Sequence, residues 1–210
     1  MKPASSSEAR QRGFTLIDVL LVIVLLGIVA VALTATSARL ASQSSQTLKT
    51  RQAFALAQSL LDEVRHMPFT FCDGEDPNVS TATRARLGVG VTNCALRVDA
   101  LVPGPEPGES RYGTTNTTRF DNVSDYQGFT MPGPGCAGLC DMAGNVINAT
   151  GPLAGCVARV NMVAQALTGI TALDVDGQPQ ALRIGVTVTC PGIEAVYAEG
   201  IRVRHAPNQL

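Results

Sequence analysis

The sequence predicts an α+β protein: one long N-terminal α-helix over about residues 14–66, packed on a C-terminal antiparallel β-sheet head whose long loops are stapled by disulfides. Three observations point to it. An apolar run at residues 19–33 continues into a helix-periodic segment with no interruption by proline. Three stretches near the C-terminus alternate apolar and polar residues. All six cysteines lie beyond the helix.

Between Asp18 and Arg39 lie 20 uncharged residues. As a helix rising 1.5 Å per residue they span about 30 Å, the thickness of a bilayer's hydrocarbon core. Asp18, at the edge of this run, costs roughly 2.5 kcal/mol or more to insert and calls for a cation to pair with. Residues 39–65 lack proline and glycine, and Leu56, Leu60, Val64 and Met67 recur at spacings of four, four and three. That is the stripe of a helix with one buried face, and it leaves Gln52, Ser59, Asp62, Glu63 and Arg65 for the other faces. Pro68 ends the helix. A break near residues 42–45, where serines cluster, is the alternative reading. Small residues Gly27, Ala30, Ala32 and Ala35 let a second helix approach closely in an apolar setting.

Residues 69–91 read as irregular. Residues 94–102 alternate and are expected to form a first strand, after which Pro103 to Gly108 break regular structure. In the irregular stretch 109–152, Phe120, Val123 and Tyr126 are three apart, as on one face of a short helical turn. Asp121, Asn122, Ser124 and Asp125 serve there as turn-forming side chains, with a calcium site from Asp121, Asn122 and Asp125 as the rival reading. Residues 156–167, 181–190 and 195–204 are the clearest strands. A hairpin centred near Leu173 sets Cys156 opposite Cys190, Ala158 opposite Val188 and Val160 opposite Val186, so the register that bridges the cysteines also aligns an apolar face. Cys136–Cys140 is then a local crosslink, and Cys72–Cys94 the remaining pair. An even cysteine count beyond a membrane-length helix fits an oxidising compartment.

Other chemistry is poorly supported. The Cys136–Cys140 spacing is one residue longer than a redox Cys-x-x-Cys, with no βαβ pattern around it. The only histidines, His66 and His205, are not beside the cysteines in sequence, which argues against zinc. Asp174-Val175-Asp176-Gly177 opens like a calcium loop but lacks the further ligands and reads as a turn. Asn78, Asn116, Asn122 and Asn148 stand in Asn-x-Ser/Thr sequons of the kind that arise by chance in an Asn- and Thr-rich head. No phosphate loop, nucleophile elbow or spaced catalytic set is present, so no enzyme and no cofactor are indicated. The 14 arginines are scattered and the net charge is −1, which gives no reason to expect nucleic acid.

The leader and its junction carry a resemblance. A polar segment ending in Arg12-Gly13, then Phe14-Thr15-Leu16-Ile17, then an acid at Asp18 and a long apolar helix, resembles the class III signal of type IV pilins and pseudopilins. The resemblance implies that a prepilin peptidase cuts after Gly13 and methylates the new N-terminus at Phe14, with the apolar segment retained. Glycine suits a scissile position because no side chain hinders the approach. The α-amino group freed at Phe14 has a pKa of about 8 and is mostly cationic at neutral pH, so Asp18 is its counter-charge within one chain or between subunits. The family's usual acid is glutamate; Asp18 keeps the charge with a shorter reach. Many major pilins carry a proline where this chain has Ala35, so the helix is expected to stay straighter, as in pseudopilins and some minor pilins.

The domains implied are a cleaved leader (1–13), a membrane and filament-core helix (14–38), the amphipathic second half of the helix (39–67) and a head (68–210). Removing the leader, with Lys2, Arg10 and Arg12 against Glu8, leaves 197 residues with a net charge of −3. A basic leader places the N-terminus in the cytoplasm and the head in the periplasm. The partners implied are the prepilin peptidase, other major and minor pilins and, before assembly, the inner membrane; the final location is a pilus or pseudopilus. Residues 119–129, RFDNVSDYQGF, resemble a segment of the MshD-type minor pilins of MSHA (mannose-sensitive haemagglutinin) pili. Two rivals remain. One is a minor pseudopilin of a type II secretion system. The other is a soluble exported binding domain with an ordinary signal peptide, for which Ala30-Val31-Ala32 would be the cleavage pattern.

Overall fold

The computed structural model describes residues 16–102, 104–147 and 150–204, without the side chains of residues 35 and 38–42. It divides into two compact units, residues 1–45 and 46–210. Gly13, Phe14, Asn148 and His205 lie outside the described residues.

Helix α1 runs unbroken over Leu16–His66, so the serine cluster does not interrupt it. In the first unit Leu16, Ile17, Leu20, Ile23, Leu26, Val31 and their neighbours are all exposed. The polar side chains at the end of the apolar run fold back onto the helix: Thr34 Oγ1 donates to the Val31 carbonyl, Thr36 Oγ1 to those of Ala32 and Leu33, and Ser37 Oγ to that of Leu33. Bonded this way, hydroxyls cost little in an apolar medium.

In the second unit α1 buries Ala53, Ala57, Leu60, Leu61 and Val64, while Leu56 and Met67 are half-buried at the flank. The buried stripe is therefore smaller in side chain than the leucine spacing suggested. Its close approach to the sheet depends on Gly200, where an added Cβ would stand 2.9 Å from Arg65 Cδ and 3.4 Å from Leu61 Cδ1. Glu63, off the apolar stripe, is reached by Arg111 and Tyr126 of the head.

The sheet has four antiparallel strands in the order β1 (Thr130–Met131), β2 (Val157–Ala164), β3 (Ala181–Thr189) and β4 (Val196–Val203). The β2–β3 register pairs Ala158 with Val188 and Val160 with Val186, as the cysteine-anchored hairpin requires. Ala158, Val160, Met162, Ile184, Val186, Val188 and Ala198 point into the core, and Arg159, Asn161 and Arg183 point outward. Phe120, Tyr126 and Phe129 close one side of that core as an edge-to-face cluster with centroids 5.0 to 6.0 Å apart.

The strand expected at residues 94–102 does not form. Asp76 is the physical reason. Its carboxylate accepts the backbone N–H groups of Ala95, Leu96 and Arg97, as well as that of Asn78, which takes the donors a ladder would need. Only isolated bridges, Cys72 with Val98 and Leu87 with Cys94, remain.

Candidate functional site: the N-terminal helix and its processing signal

The functional residues expected from sequence fall in two places. Asp18 stands in the first turn of α1, where the helix dipole favours an acid, and it is exposed. From Leu16 to Thr34 the helix is long and apolar enough to cross a membrane, and none of that stretch is buried. Around Gly27 an added Cβ would meet nothing within 4 Å. The helix thus presents a continuous apolar surface with a bare-backbone position at which another helix can come close. An exposed surface of this kind is unstable in water and demands lipid or partner helices around it.

Residues 9–34 match the prokaryotic N-terminal methylation motif. The matched span takes in Gly13, Phe14, Asp18 and all of the apolar stretch Leu16–Thr34. The motif supports a place among the type IV pilins and pseudopilins, and implies processing by a prepilin peptidase and assembly with other pilins. Together with the apolar helix it fits a chain held in a membrane and then assembled at the surface, and it suggests a structural rather than enzymatic protein. No curated protein and no solved structure matches the chain.

In the head, the structure bridges Cys72 to Cys94, Cys136 to Cys140 and Cys156 to Cys190, and leaves no cysteine free. The first holds the irregular segment after α1, with Ala82 packed against it. The last crosslinks residues beside the ends of β2 and β3.

Asn122, Asp121 and Asp125 are not gathered round one point. Asn122 caps the 3-10 turn Val123–Tyr126: its Oδ1 accepts from the Val123 N–H, its amide donates to Thr70 Oγ1, and Asp125 Oδ2 returns to the Asn122 N–H. This is the capping geometry of a turn. Asp121 lies instead with Asp73 and Glu75, and Asp125 with Glu106 and Glu109. Burial pushes the Asp121 carboxyl up to about 6, with Asp73 and Glu75 adding to it. Burial likewise raises Asp125 to about 7 against its two amide donors, and Glu109 to about 9 beside Glu106. Asp174 behaves as a turn residue, its Oδ1 accepting from the N–H groups of Asp176 and Gln178.

Two features of the head escaped sequence reasoning. One is the Glu63, Arg111 and Tyr126 network, whose members are too far apart in the chain for any local pattern to pair them. The other is the carboxylate group of Glu106, Glu109 and Asp125, drawn from a Pro/Gly loop and a 3-10 turn.

Proposed function

We propose that the chain is a minor, accessory type IV pilin of MSHA-like (MshD-type) character. It is cleaved after Gly13, N-methylated at Phe14, held as a single-pass inner-membrane protein with its head in the periplasm, and then drawn into a filament. The observation that carries this reading is the N-terminal methylation motif at residues 9–34, continuous with an exposed apolar helix. In the filament, residues 19–33 pack among other pilin helices, and Asp18 meets the cationic N-terminus of its own or a neighbouring subunit. The disulfide-bonded head supplies the position, at the tip or in initiation, and the contacts with other subunits. Residues 119–129 are the basis for preferring the MSHA type.

A minor pseudopilin of a type II secretion system is the second reading, favoured by Ala35 where many major pilins have proline. Copurification separates the two. A tagged chain is expected to bring down the major pilin from sheared pili, and its deletion to reduce piliation. Recovery with a secretion pseudopilus instead, with pili unchanged on deletion, overturns the pilus reading.

A further inference from the structure

The two edges of the sheet differ. At one, β1 is only two residues long; at the other, β4 pairs with β3 through all eight residues Val196–Val203, and the sheet ends there. The Arg204 N–H donates to the Gln180 carbonyl in continuation of that register, which fixes the alternation along the strand. Arg202, Gly200 and Ala198 direct their backbone N–H and C=O groups to β3, and Tyr197, Glu199 and Ile201 direct theirs away from it. Among the described residues no backbone bond outside the ladder reaches these three.

An exposed edge is ordinarily guarded by proline, a bulge or charged side chains. β4 has no proline and its register with β3 has no bulge. Its polar side chains are drawn off the edge. Tyr197 leans back over β3, where an added Cβ at Gly185 would stand 2.6 Å from its hydroxyl oxygen. That hydroxyl donates to Glu199 Oε2 at 2.6 Å, and Glu199 also faces Arg183 of β3 at 3.7 Å. Arg202 Nη2 donates to the Met67 carbonyl at the end of α1. Tyr197 and Ile201 remain 52% and 43% exposed. α1 flanks the same edge, with Leu61 and Arg65 against Gly200. Phe54 precedes Leu61 by two turns on the same stripe of the helix and is 47% exposed. Lys49 donates to the Pro191 carbonyl ahead of β4, and Met67 accepts from Arg202 near its end, so α1 runs alongside the strand and Phe54 lies towards its Val196 end.

We propose that the β4 edge is a docking site at which an extended segment of a different protein chain adds a further strand to the sheet. Its main chain pairs with the N–H and C=O groups of Tyr197, Glu199 and Ile201. The charges at the edge define its side chains. On the outer face a base stands opposite Glu199, between apolar residues opposite Tyr197 and Ile201; on the helix face an acid meets Arg65 and an apolar residue covers Phe54. A second copy of β4 does not meet these terms. In any antiparallel register of two β4 strands the residue opposite Glu199 on its own face is Tyr197, Glu199, Ile201 or Val203, never a base.

The test uses the full isotope-labelled chain in detergent, with amide hydrogen exchange read by NMR. The probe is a blocked peptide with Ile-Glu-Lys-Val-Ile between threonines; the control is the same peptide N-methylated at both isoleucines and the lysine, which keeps the side chains and removes the pairing N–H groups. In the free chain Ala198 and Gly200 are expected to be protected while Tyr197, Glu199 and Ile201 exchange freely. The peptide is expected to slow exchange at these last three at least about tenfold and the control to leave them unchanged. Ile201→Lys places a guarding charge at an exposed position. It should keep the protection of Ala198 and Gly200, which shows that the sheet has formed, and weaken peptide binding at least about tenfold. No slowing with the peptide, equal slowing with the control, or native affinity in Ile201→Lys overturns the proposal. So does protection of the three amides in the peptide-free chain, which, if it rises with chain concentration, makes a second copy the occupant.

Discussion

Glu63, in the last turns of α1, holds Arg111 of the head through two bonds of 2.6 Å, from Nε to Oε1 and from Nη2 to Oε2, and the Tyr126 hydroxyl donates to the same Oε1 at 2.6 Å. Arg111 is 6% exposed and also donates to the carbonyl of Cys140 at 3.0 Å. Breaking a buried pair strands the remaining charge, whereas replacing both partners with apolar residues of similar volume does not. Glu63→Ala is therefore predicted to lower the stability of the head by about 3–5 kcal/mol. The double change Glu63→Leu with Arg111→Met should cost less than Glu63→Ala alone, as read from denaturant midpoints.

Acid and base act on different groups. Burial alone would raise Asp76, but its four backbone donors outweigh that and hold its pKa below the ordinary 3.8. A depressed folded-state pKa contributes stability that is present above the unfolded value and lost as pH falls through the folded one. Asp121, Asp125 and Glu109 are shifted the other way, to about 6, 7 and 9. The native state then holds protons that the unfolded chain has released, so stability falls as pH rises from about 4 towards 9. Melting across pH 3–9 is predicted to give a maximum near pH 4. Asp76→Asn should flatten the acid side and leave the alkaline side unchanged.

The three disulfides close loops of very different length, with sequence separations of 34, 22 and 4. On the chain-entropy account, replacing both cysteines by alanine should cost about 3–4 kcal/mol for Cys156–Cys190, slightly less for Cys72–Cys94, and about 2 kcal/mol for Cys136–Cys140. Denaturant unfolding of the three double variants checks the order. A larger loss at Cys136–Cys140 than at Cys156–Cys190 would contradict it.

What the sequence disclosed follows from what is local. The period of α1, the alternation in β2, β3 and β4, and the cysteines flanking one hairpin all depend on residues near one another in the chain, and the register that aligns Ala158 with Val188 could be worked out from them. The missing strand at residues 94–102 shows where such reasoning stops. Its alternation is genuine, but Asp76, about twenty residues earlier, captures its N–H groups. The partners of Glu63 were not legible for the same reason, since nothing near it in the chain announces Arg111. The helix signal at Asp18 was legible because its meaning lies in order and spacing. The acid group at Glu106, Glu109 and Asp125 was not, because it exists only after the loops fold.

Gly27 offers a direct test of close helix packing. No atom outside its own helix and chain neighbours lies within 4 Å of where its Cβ would be, so Gly27→Leu meets no clash in the chain itself. The variant is predicted to insert into the membrane and fold its head normally, yet to enter filaments several-fold less than the native chain, measured by immunoblot of sheared pili against whole cells. Asp18→Ala should be processed but be similarly deficient in assembly.

The most direct test of the account is the intact mass of the mature protein isolated from membranes. The predicted result is a chain of 197 residues beginning at Phe14, heavier by one CH2 for a methyl in place of a hydrogen and lighter by six hydrogens for three disulfides. A chain beginning at Leu33 or later, or one still carrying residues 1–13, would contradict it.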